Sequence, residues 1–314
     1  MTRRHIPSGI ERNGPTRPGP GRTGAYSVAL VTCAELPGLD ADDRLVLAPL
    51  EAAGVRADPV VWDDPAVDWA GYDLAVVRSA WDYARRRDAF VAWAARVPRL
   101  ANPADVVAWN TDKRYIADLA VAGVPVVPTT WLDPGTAWEP PATGEWVVKP
   151  SVSVGSLDTG RYDLADPQHR RLAADLVARL HAAGRPVMLQ PYLSAVDSSG
   201  ETALVFIGGK YSHAFRKGPM LEGPYRGLDG LYKEESIAPR EPSAAERDVA
   251  ARALDAVPGG ADRLLYARVD LIPGPDGLPR VVEFELTEPS LYLSTGAGAA
   301  DRFAAAILTR LRAS

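Results

Sequence analysis

The stretch Leu264–Tyr292, LLYARVDLIPGPDGLPRVVEFELTEPSLY, decides how this chain is read. Two runs rich in branched and aromatic residues, Leu264–Ile272 and Arg280–Leu286, flank a turn rich in Pro and Gly. That is the pattern of a β-hairpin. Acids interrupt both strands: Asp270 in the first, Glu283 and Glu285 in the second. Side chains alternate along a strand, so Glu283 and Glu285 share a face. Asp270 joins them if it pairs with Val281 or Glu283. It faces away if it pairs with Val282, because a slip of one residue reverses every side chain. Three carboxylates on one face repel one another unless a cation lies between them. Donors that are all oxygen fit Mg²⁺ or Mn²⁺, and Mg²⁺ commonly completes its octahedron with substrate phosphates. Two edge strands with solvated acids would give the same hairpin pattern.

The rest of the chain sets the frame. Its 314 residues are enough for about two domains. A composition of 46% hydrophobic and 24% charged residues is that of an ordinary globular protein. A net charge of −5 argues against a nucleic-acid partner. The single cysteine, Cys33, excludes an intrachain disulfide and a Cys-based zinc site. His5, His169, His181 and His213 lack metal-ligand spacing. No apolar run approaches the ~20 residues that a membrane helix requires. Residues 1–25 are rich in Arg, Gly and Pro and poor in apolar residues, so a disordered tail is expected there.

From Tyr26 strands and helices alternate. Strands are expected at Ser27–Cys33, Val60–Trp62 and Leu74–Arg78, and helices at Ala41–Ala53 (capped by Asp40) and Asp88–Val97. Alternation of this kind implies an α/β fold with a doubly wound parallel sheet. Ligands of such sheets bind beyond the C-terminal strand ends. Arg78, Ser79, Trp81, Asp82 and Tyr83 are therefore candidate substrate residues, although Trp81 and Tyr83 would equally serve as core aromatics. Asn102–Asn110 reads as a connection. Thr111 is expected to cap a helix that Gly123 closes, with Lys113 in its first turn. A cation there opposes the helix dipole unless an anion docks at the same end.

The next segments add charged and small residues. A strand is expected at Val124–Thr130, and another at Glu145–Pro150 that carries Lys149. Ser151–Ser156 (SVSVGS) follows, and its small residues, with Ser153, Gly155 and Ser156, suit a phosphate-cradling loop. Asp166–Ala183 is helical, with Leu172, Leu176, Val177 and Leu180 at helical spacing. Val187–Leu193 is a strand broken by Pro191 into a hinge at Gln190–Leu193. Gly200–Ile207, headed by Glu201, pairs with Lys210–Met220 across Gly208-Gly209. Arg216 and Lys217 are adjacent, so only one of them faces the sheet core. Gly218–Gly230 reads as a mobile loop, Ala244–Ala256 and Ala299–Leu311 as helices.

In this order, and with the stretches VVRSAWDY, NPADVVAWNTDKRYI, GETALVFIGGKYSHAFRKGPM and EFELTEPSLYL, the chain resembles the ATP-grasp superfamily of carboxylate ligases from about Tyr26 to Leu311. Within it the likeness is to the O-ureido-D-serine cyclo-ligases. The resemblance implies a Rossmann-like pre-ATP-grasp domain over 26–110, followed by a two-lobed, α+β ATP-grasp domain over 111–314, divided into a small lobe at 111–189 and a C-terminal lobe at 190–314. It implies ATP and Mg²⁺ (or Mn²⁺) as cofactors, with Lys113 and Lys149 on the nucleotide phosphates. Gln190 and Leu193 would form the adenine hinge, Glu201 would bind the ribose, and Asp270, Glu283 and Glu285 would ligate Mg²⁺. Arg268 would steady the transferred phosphoryl group and the tetrahedral intermediate, helped by Arg216 or Lys217.

The chain departs from the superfamily at Glu285, where most members carry Asn, and in Ser151–Ser156, which has one glycine. The implied chemistry is activation of a small-molecule carboxylate as an acyl phosphate, followed by C–N bond formation. Ring closure is the favoured variant, and a bimolecular carboxylate–amine ligase is the alternative. A nucleotide-binding module without turnover is the remote one, since it has no use for the three carboxylates. A cytoplasmic enzyme of antibiotic biosynthesis, without nucleic-acid or membrane partners, follows from the same likeness; a homo-oligomer is compatible with it.

Overall fold

The computed structural model describes residues 26–227, 231 and 235–313. The tail expected at 1–25 lies outside these residues, as does the end of the loop expected at Gly218–Gly230.

The first sheet is parallel, with strand order β2-β1-β3-β4: β1 is Ser27–Thr32, β2 Arg56–Val61, β3 Leu74–Ser79 and β4 Leu100–Ala101. Every residue of β1 and β3 is buried, as expected for a parallel sheet covered on both faces. Alternation sends Val28 and Leu30 to one face and Ala29 and Val31 to the other. The second face carries an aromatic layer. Phe90 and Trp93 of α2 (Arg87–Ala94) pack with Trp62, the Trp62–Phe90 rings lying 5.3 Å apart and edge-on. Edge-on geometry sets the positive ring edge against the negative face.

Two helix expectations in this part are corrected. Ala41–Ala53 is a 3-10 turn, Asp43–Val46, followed by α1, Leu47–Ala52. Pro49 is the cause: it has no N–H for the carbonyl of Leu45, and its ring crowds that carbonyl. The segment read as a connection contains α3, Ala104–Asn110, and Thr111 is its C-cap. The next helix, α4, begins only at Tyr115 and runs to Val121. Lys113 therefore sits in the turn between two helices, and the dipole argument does not apply to it.

The second sheet is antiparallel, with order β5-β8-β6-β7: β5 Thr130–Leu132, β6 Glu145–Pro150, β7 Gly160–Asp163 and β8 Val187–Pro191. The strand expected at Val124–Thr130 starts only at Thr130. Pro125 and Pro128 cannot donate to a ladder, and one bridge, Val126 to Val281, is all that forms before it. Helix α5, Pro167–Ala182, covers this sheet. Asp166 caps it through Gln168 N at 2.7 Å, and Pro167 occupies the first turn where its missing N–H costs nothing. Its inner face is Ala173, Leu176, Val177 and Leu180; Leu172 is exposed.

The third sheet has order β11-β10-β9-β12-β13 and is antiparallel. A short helix, α6 (Ala195–Ser199), leads into β9, Glu201–Ile207, which turns at Gly208-Gly209 into β10, Lys210–Lys217. Both glycines have positive φ, 57° and 75°, as the tight hairpin turn requires. Strand β11 is Ile237–Pro239, β12 Tyr266–Pro273 and β13 Pro279–Glu285. Helix α7, Ala244–Asp255, covers one face and opens with a capping box of Ser243 and Glu246. Helix α8, Ala299–Ala313, buries Phe303, Ile307 and Leu311 in one cluster with Val28 and Leu30 of β1 and Val205 of β9. This shared core fixes the parallel sheet against the acidic hairpin. Among the described residues no helix is long and apolar enough to cross a membrane.

Candidate active site

The hairpin register resolves the alternatives left open by the sequence. Asp270 of β12 pairs with Glu283 of β13, and Arg268 pairs with Glu285. All four side chains share one face, while Phe284 points into the core. One oxygen from each of Asp270, Glu283 and Glu285 lies within 4.8 Å of the other two.

The end of the hairpin is pinned by amides from α3 and the segment before it. Asn110 accepts from Leu286 N at 2.7 Å and donates to Phe284 O at 2.7 Å. Asn102 donates to the carbonyls of Tyr266 and Leu286 and accepts from Leu265 N. A side-chain amide serves both sides of a backbone peptide, which makes it a good staple for a strand end.

Four cations converge on these acids. Arg268 holds Asp270 in a fork, with Nε–Oδ1 at 2.8 Å and Nη2–Oδ2 at 2.9 Å, and reaches Glu285 Oε1 at 2.6 Å. Lys217 Nζ lies 3.0 Å from Asp270, 3.3 Å from Glu201 and 3.4 Å from Glu235. Lys149 Nζ is 3.3 Å and Lys113 Nζ 3.8 Å from Glu283 Oε1. Lys113 also donates to Ser153 O at 2.8 Å, and its N–H to Ser151 O at 2.8 Å. The turn between α3 and α4 thus ties down the Ser151–Ser156 loop, in which Gly155 and Ser156 are left-handed at φ 60° and 63°.

Burial works against all of these charges, and neighbours decide which survive. Burial raises the Glu283 carboxyl, but Lys149 and Lys113 outweigh it and hold the group well below the usual range. Burial likewise raises Asp270, and Arg268 and Lys217 reverse that. Lys217 is pushed well above its ordinary value because Asp270, Glu201 and Glu235 overcome burial. Lys149 is lowered by burial, with Lys113 adding to the effect and Glu283 opposing it. The short Lys149–Glu283 contact favours the doubly charged pair at neutral pH.

Glu285 stands apart: burial and the charges of Asp270 and Glu283 push it up to about 8, Arg268 alone being insufficient. Three carboxylates this close repel one another unless a cation lies between them. The donor set, three oxygens from carboxylates on rigid strands, therefore fits a hard divalent cation.

A cavity of about 400 Å³ lies above this floor. Of the residues singled out in the sequence, Lys113, Lys149, Ser153, Gly155, Ser156, Gln190, Leu193, Glu201, Lys217, Arg268, Glu283, Glu285, Trp81 and Tyr83 line it. Asp270 lies just beneath, fully buried. The hinge is less open than expected, since Tyr192 N–H donates to Glu145 O and Gln190 Nε2 to Thr129 Oγ1.

Four expected residues lie elsewhere. Asp82 accepts from Trp62 Nε1 at 2.9 Å and pairs with Arg86. Arg78 is fully buried against Asp43, with Nε–Oδ1 at 2.9 Å, and its guanidinium stacks over Tyr266 and Phe303. Ser79 donates to the same Asp43 at 2.6 Å. A lone buried Asp43 needs both partners, so this pair serves the junction between sheets rather than the cavity. Arg216 turns away from Lys217 and donates to Ser199 O at 2.8 Å. Conversely, Glu288, Glu235 and Tyr292 line the cavity without having been singled out. Glu288 follows the strand, where alternation no longer predicts direction; Glu235 lies in an irregular loop.

A family profile described as the N-terminal domain of D-cycloserine synthetase DcsG matches residues 28–102. The cycloserine biosynthesis protein DcsG of Streptomyces lavendulae is 42% identical over 306 residues, spanning 91% of this chain and 99% of that one. The chain belongs to the DcsG family of ATP-grasp ligases. The crystal structure of D-cycloserine synthetase DcsG superposes on the ligase with a TM-score of 0.79 at 40% identity, covering 91% and 99% of the two chains. The fold extends to the ATP-grasp ligase PsnB, solved with a precursor variant, Mg and ADP. Its TM-score is 0.60 at 20% identity, over 91% of the ligase and 99% of PsnB. The mixed α/β architecture expected from the sequence is that of these ligases.

Proposed function

We propose that this ligase closes a ring on a single small-molecule carboxylate, O-ureido-D-serine, consuming ATP and releasing ADP, phosphate and a cyclic product that keeps the substrate's carbamoyl group, whose hydrolytic loss leaves the cycloserine-type ring. The observation that carries the reading is the meeting of Asp270, Glu283 and Glu285 with Lys113, Lys149, Lys217 and Arg268 on the floor of one cavity. Cations held by rigid strands are what phosphoryl transfer asks for, since its catalysis is mostly positioning and charge neutralisation. Likeness to DcsG along nearly the whole chain favours ring closure over a bimolecular ligation.

In this reading Gln190 and Leu193 flank the adenine, and Glu201 takes the ribose hydroxyls. Lys113 and Lys149 swing from Glu283 to the nucleotide phosphates, while Ser153, Gly155 and Ser156 close over them. Asp270, Glu283 and Glu285 would hold Mg²⁺, which supplies neutralisation of the phosphate charge when bound. The γ-phosphoryl group passes to the substrate carboxylate. Arg268 and Lys217 then stabilise the oxyanion that forms when the substrate nitrogen attacks the acyl phosphate. Trp81 borders the substrate end. The chain is read as a pre-ATP-grasp domain to about residue 110 and an ATP-grasp domain beyond.

The test is ADP release with O-ureido-D-serine as the only organic acid, followed by mass analysis of the product. One ADP per ring is expected. Turnover that requires an added amine would replace ring closure with bimolecular ligation.

A further inference from the structure

Glu288 lines the cavity and has no part in the phosphate and metal chemistry described above. We propose that Glu288 is the general base of the ring-closing step, accepting the proton of the attacking substrate nitrogen. The proposal rests on the ligation reading above and deepens it.

The placement of Glu288 is rigid. Four consecutive carbonyls are gripped: Thr287 O by the Tyr266 hydroxyl at 2.8 Å, Glu288 O by Trp81 Nε1 at 3.1 Å, Pro289 O by Arg78 Nη2 at 2.5 Å and Ser290 O by Arg268 Nη1 at 2.9 Å. The side chain is 8% exposed and borders the cavity. Its partners differ in kind from those of the neighbouring acids. Asp270, Glu283 and Glu285 each pair with an ammonium or guanidinium, whereas Glu288 is held by the neutral hydroxyl of Tyr83. Ion pairing holds Asp270 and Glu283 in their ionised, weakly basic form, whereas Glu288 is held by a phenol beside Trp81. Trp81 and Tyr83 form that wall, which also shields an acyl phosphate from water.

The charged and titratable groups facing Glu288 are Tyr83, Lys113, Arg268 and Arg78. Burial is the largest influence on it; the Tyr83 hydrogen bond and then the three cations oppose burial but do not cancel it. The carboxyl is pushed up to about 7, the range in which a base both ionises and accepts a proton at neutral pH. The step balances. The nitrogen lone pair forms the C–N bond, the bond from the acyl carbon to the phosphate oxygen breaks with its electrons going to phosphate, and the N–H proton moves to Glu288, which returns it to solvent.

The experiment separates the two half-reactions in the full-length enzyme. Scrambling of ¹⁸O between bridging and non-bridging positions of ATP reports acyl phosphate formation. Product mass reports ring closure. With wild type and O-ureido-D-serine, absence of the ring product, with or without scrambling, would strike the ligation reading itself. Given wild-type turnover, Glu288→Gln is expected to keep or raise scrambling while ring formation falls ~100-fold or more. Loss of both together, or ring formation within ~3-fold of wild type, overturns the proposal. Tyr83→Phe covers the case in which Glu288→Gln does not fold. It removes a bond that lowers the Glu288 pKa, so the rise of the ring-closure rate with pH should shift to higher pH. An unmoved profile overturns the proposal as well.

Discussion

Asp270 stands directly opposite Glu283 across the β12–β13 pair, and both carboxylates face the same side of the sheet. Two like charges at facing positions destabilise a sheet by up to about 1 kcal/mol. Here Arg268 and Lys217 flank Asp270, and Lys149 and Lys113 flank Glu283. Binding ATP and a divalent cation would exchange these partners: the lysines would turn to phosphates and the metal would take the carboxylates. In the proposed reading the same residues would serve both states, which would account for a costly charge cluster in the protein interior.

Glu283→Gln keeps shape and removes the charge on which this exchange depends. ADP release should drop ~100-fold or more, as when one preorganised electrostatic partner of a transition state is lost. The far-ultraviolet circular dichroism should be retained. Normal ADP release from a folded variant would remove Glu283 from the proposed metal set.

Lys149→Ala tests the phosphate side. Lys149 is almost wholly buried and has Glu283 as its ion-pair partner. A phosphate contact acts in both ground and transition states, so the KM for ATP should rise and kcat should fall together. Steady-state kinetics with varied ATP measure both. Unchanged values would make Lys149 only a counter-ion for Glu283.

The capping box of α7 gives a stability prediction with a defined pH direction. Burial raises the Glu246 carboxyl, but hydrogen bonds from Thr202 Oγ1 at 2.5 Å and Ser243 N at 2.7 Å outweigh it and lower the pKa. A lowered folded pKa stabilises the fold above the ordinary glutamate range. That contribution is lost as pH falls through the folded value. Glu246→Gln should therefore cost about 1 kcal/mol near neutral pH. The melting-temperature gap from wild type should narrow as pH falls below the ordinary glutamate range. A gap that persists into acid would assign the effect to packing.

Much of this arrangement is legible in the sequence because periodicity encodes it. The strands around Asp270, Glu201 and Lys149 show as apolar runs, and adjacency alone sends Lys217 and Arg216 to opposite faces. What escapes is set by long-range pairing. Whether Asp270 meets Glu283 depends on register, which the turn sequence does not fix. Pro49 splits a helix that apolar spacing draws as continuous, and Thr111 ends one helix where its capping chemistry reads as a beginning. Arg78 sits at a strand end where ligands gather, yet Asp43 and Pro289 claim it. Asp43 is 35 residues away and Pro289 is 211 residues away, separations over which no local pattern operates.

Arg78 carries the last prediction. Its side chain is fully buried, its Nε donates to Asp43 Oδ1 at 2.9 Å, and its Nη2 lies 2.9 Å from the same oxygen while donating to Pro289 O. Removing one member of a buried pair leaves the other charge uncompensated, at a cost of about 3–5 kcal/mol. Burial already raises the Asp43 carboxyl, so an unpaired Asp43 would take up a proton or draw in water. Arg78→Met should lower the melting temperature by ~10 °C. Arg78→Met combined with Asp43→Leu removes both charges and fills the space with apolar atoms, and a large part of the loss should return. The alternative, Arg78 as a substrate contact, makes the opposite prediction: stability little changed and KM for the carboxylate raised in the single variant, with no recovery in the double. Thermal denaturation of the two variants, read beside their KM values well below the melting temperature, decides between a residue that holds the parallel sheet to the acidic hairpin and one that binds substrate.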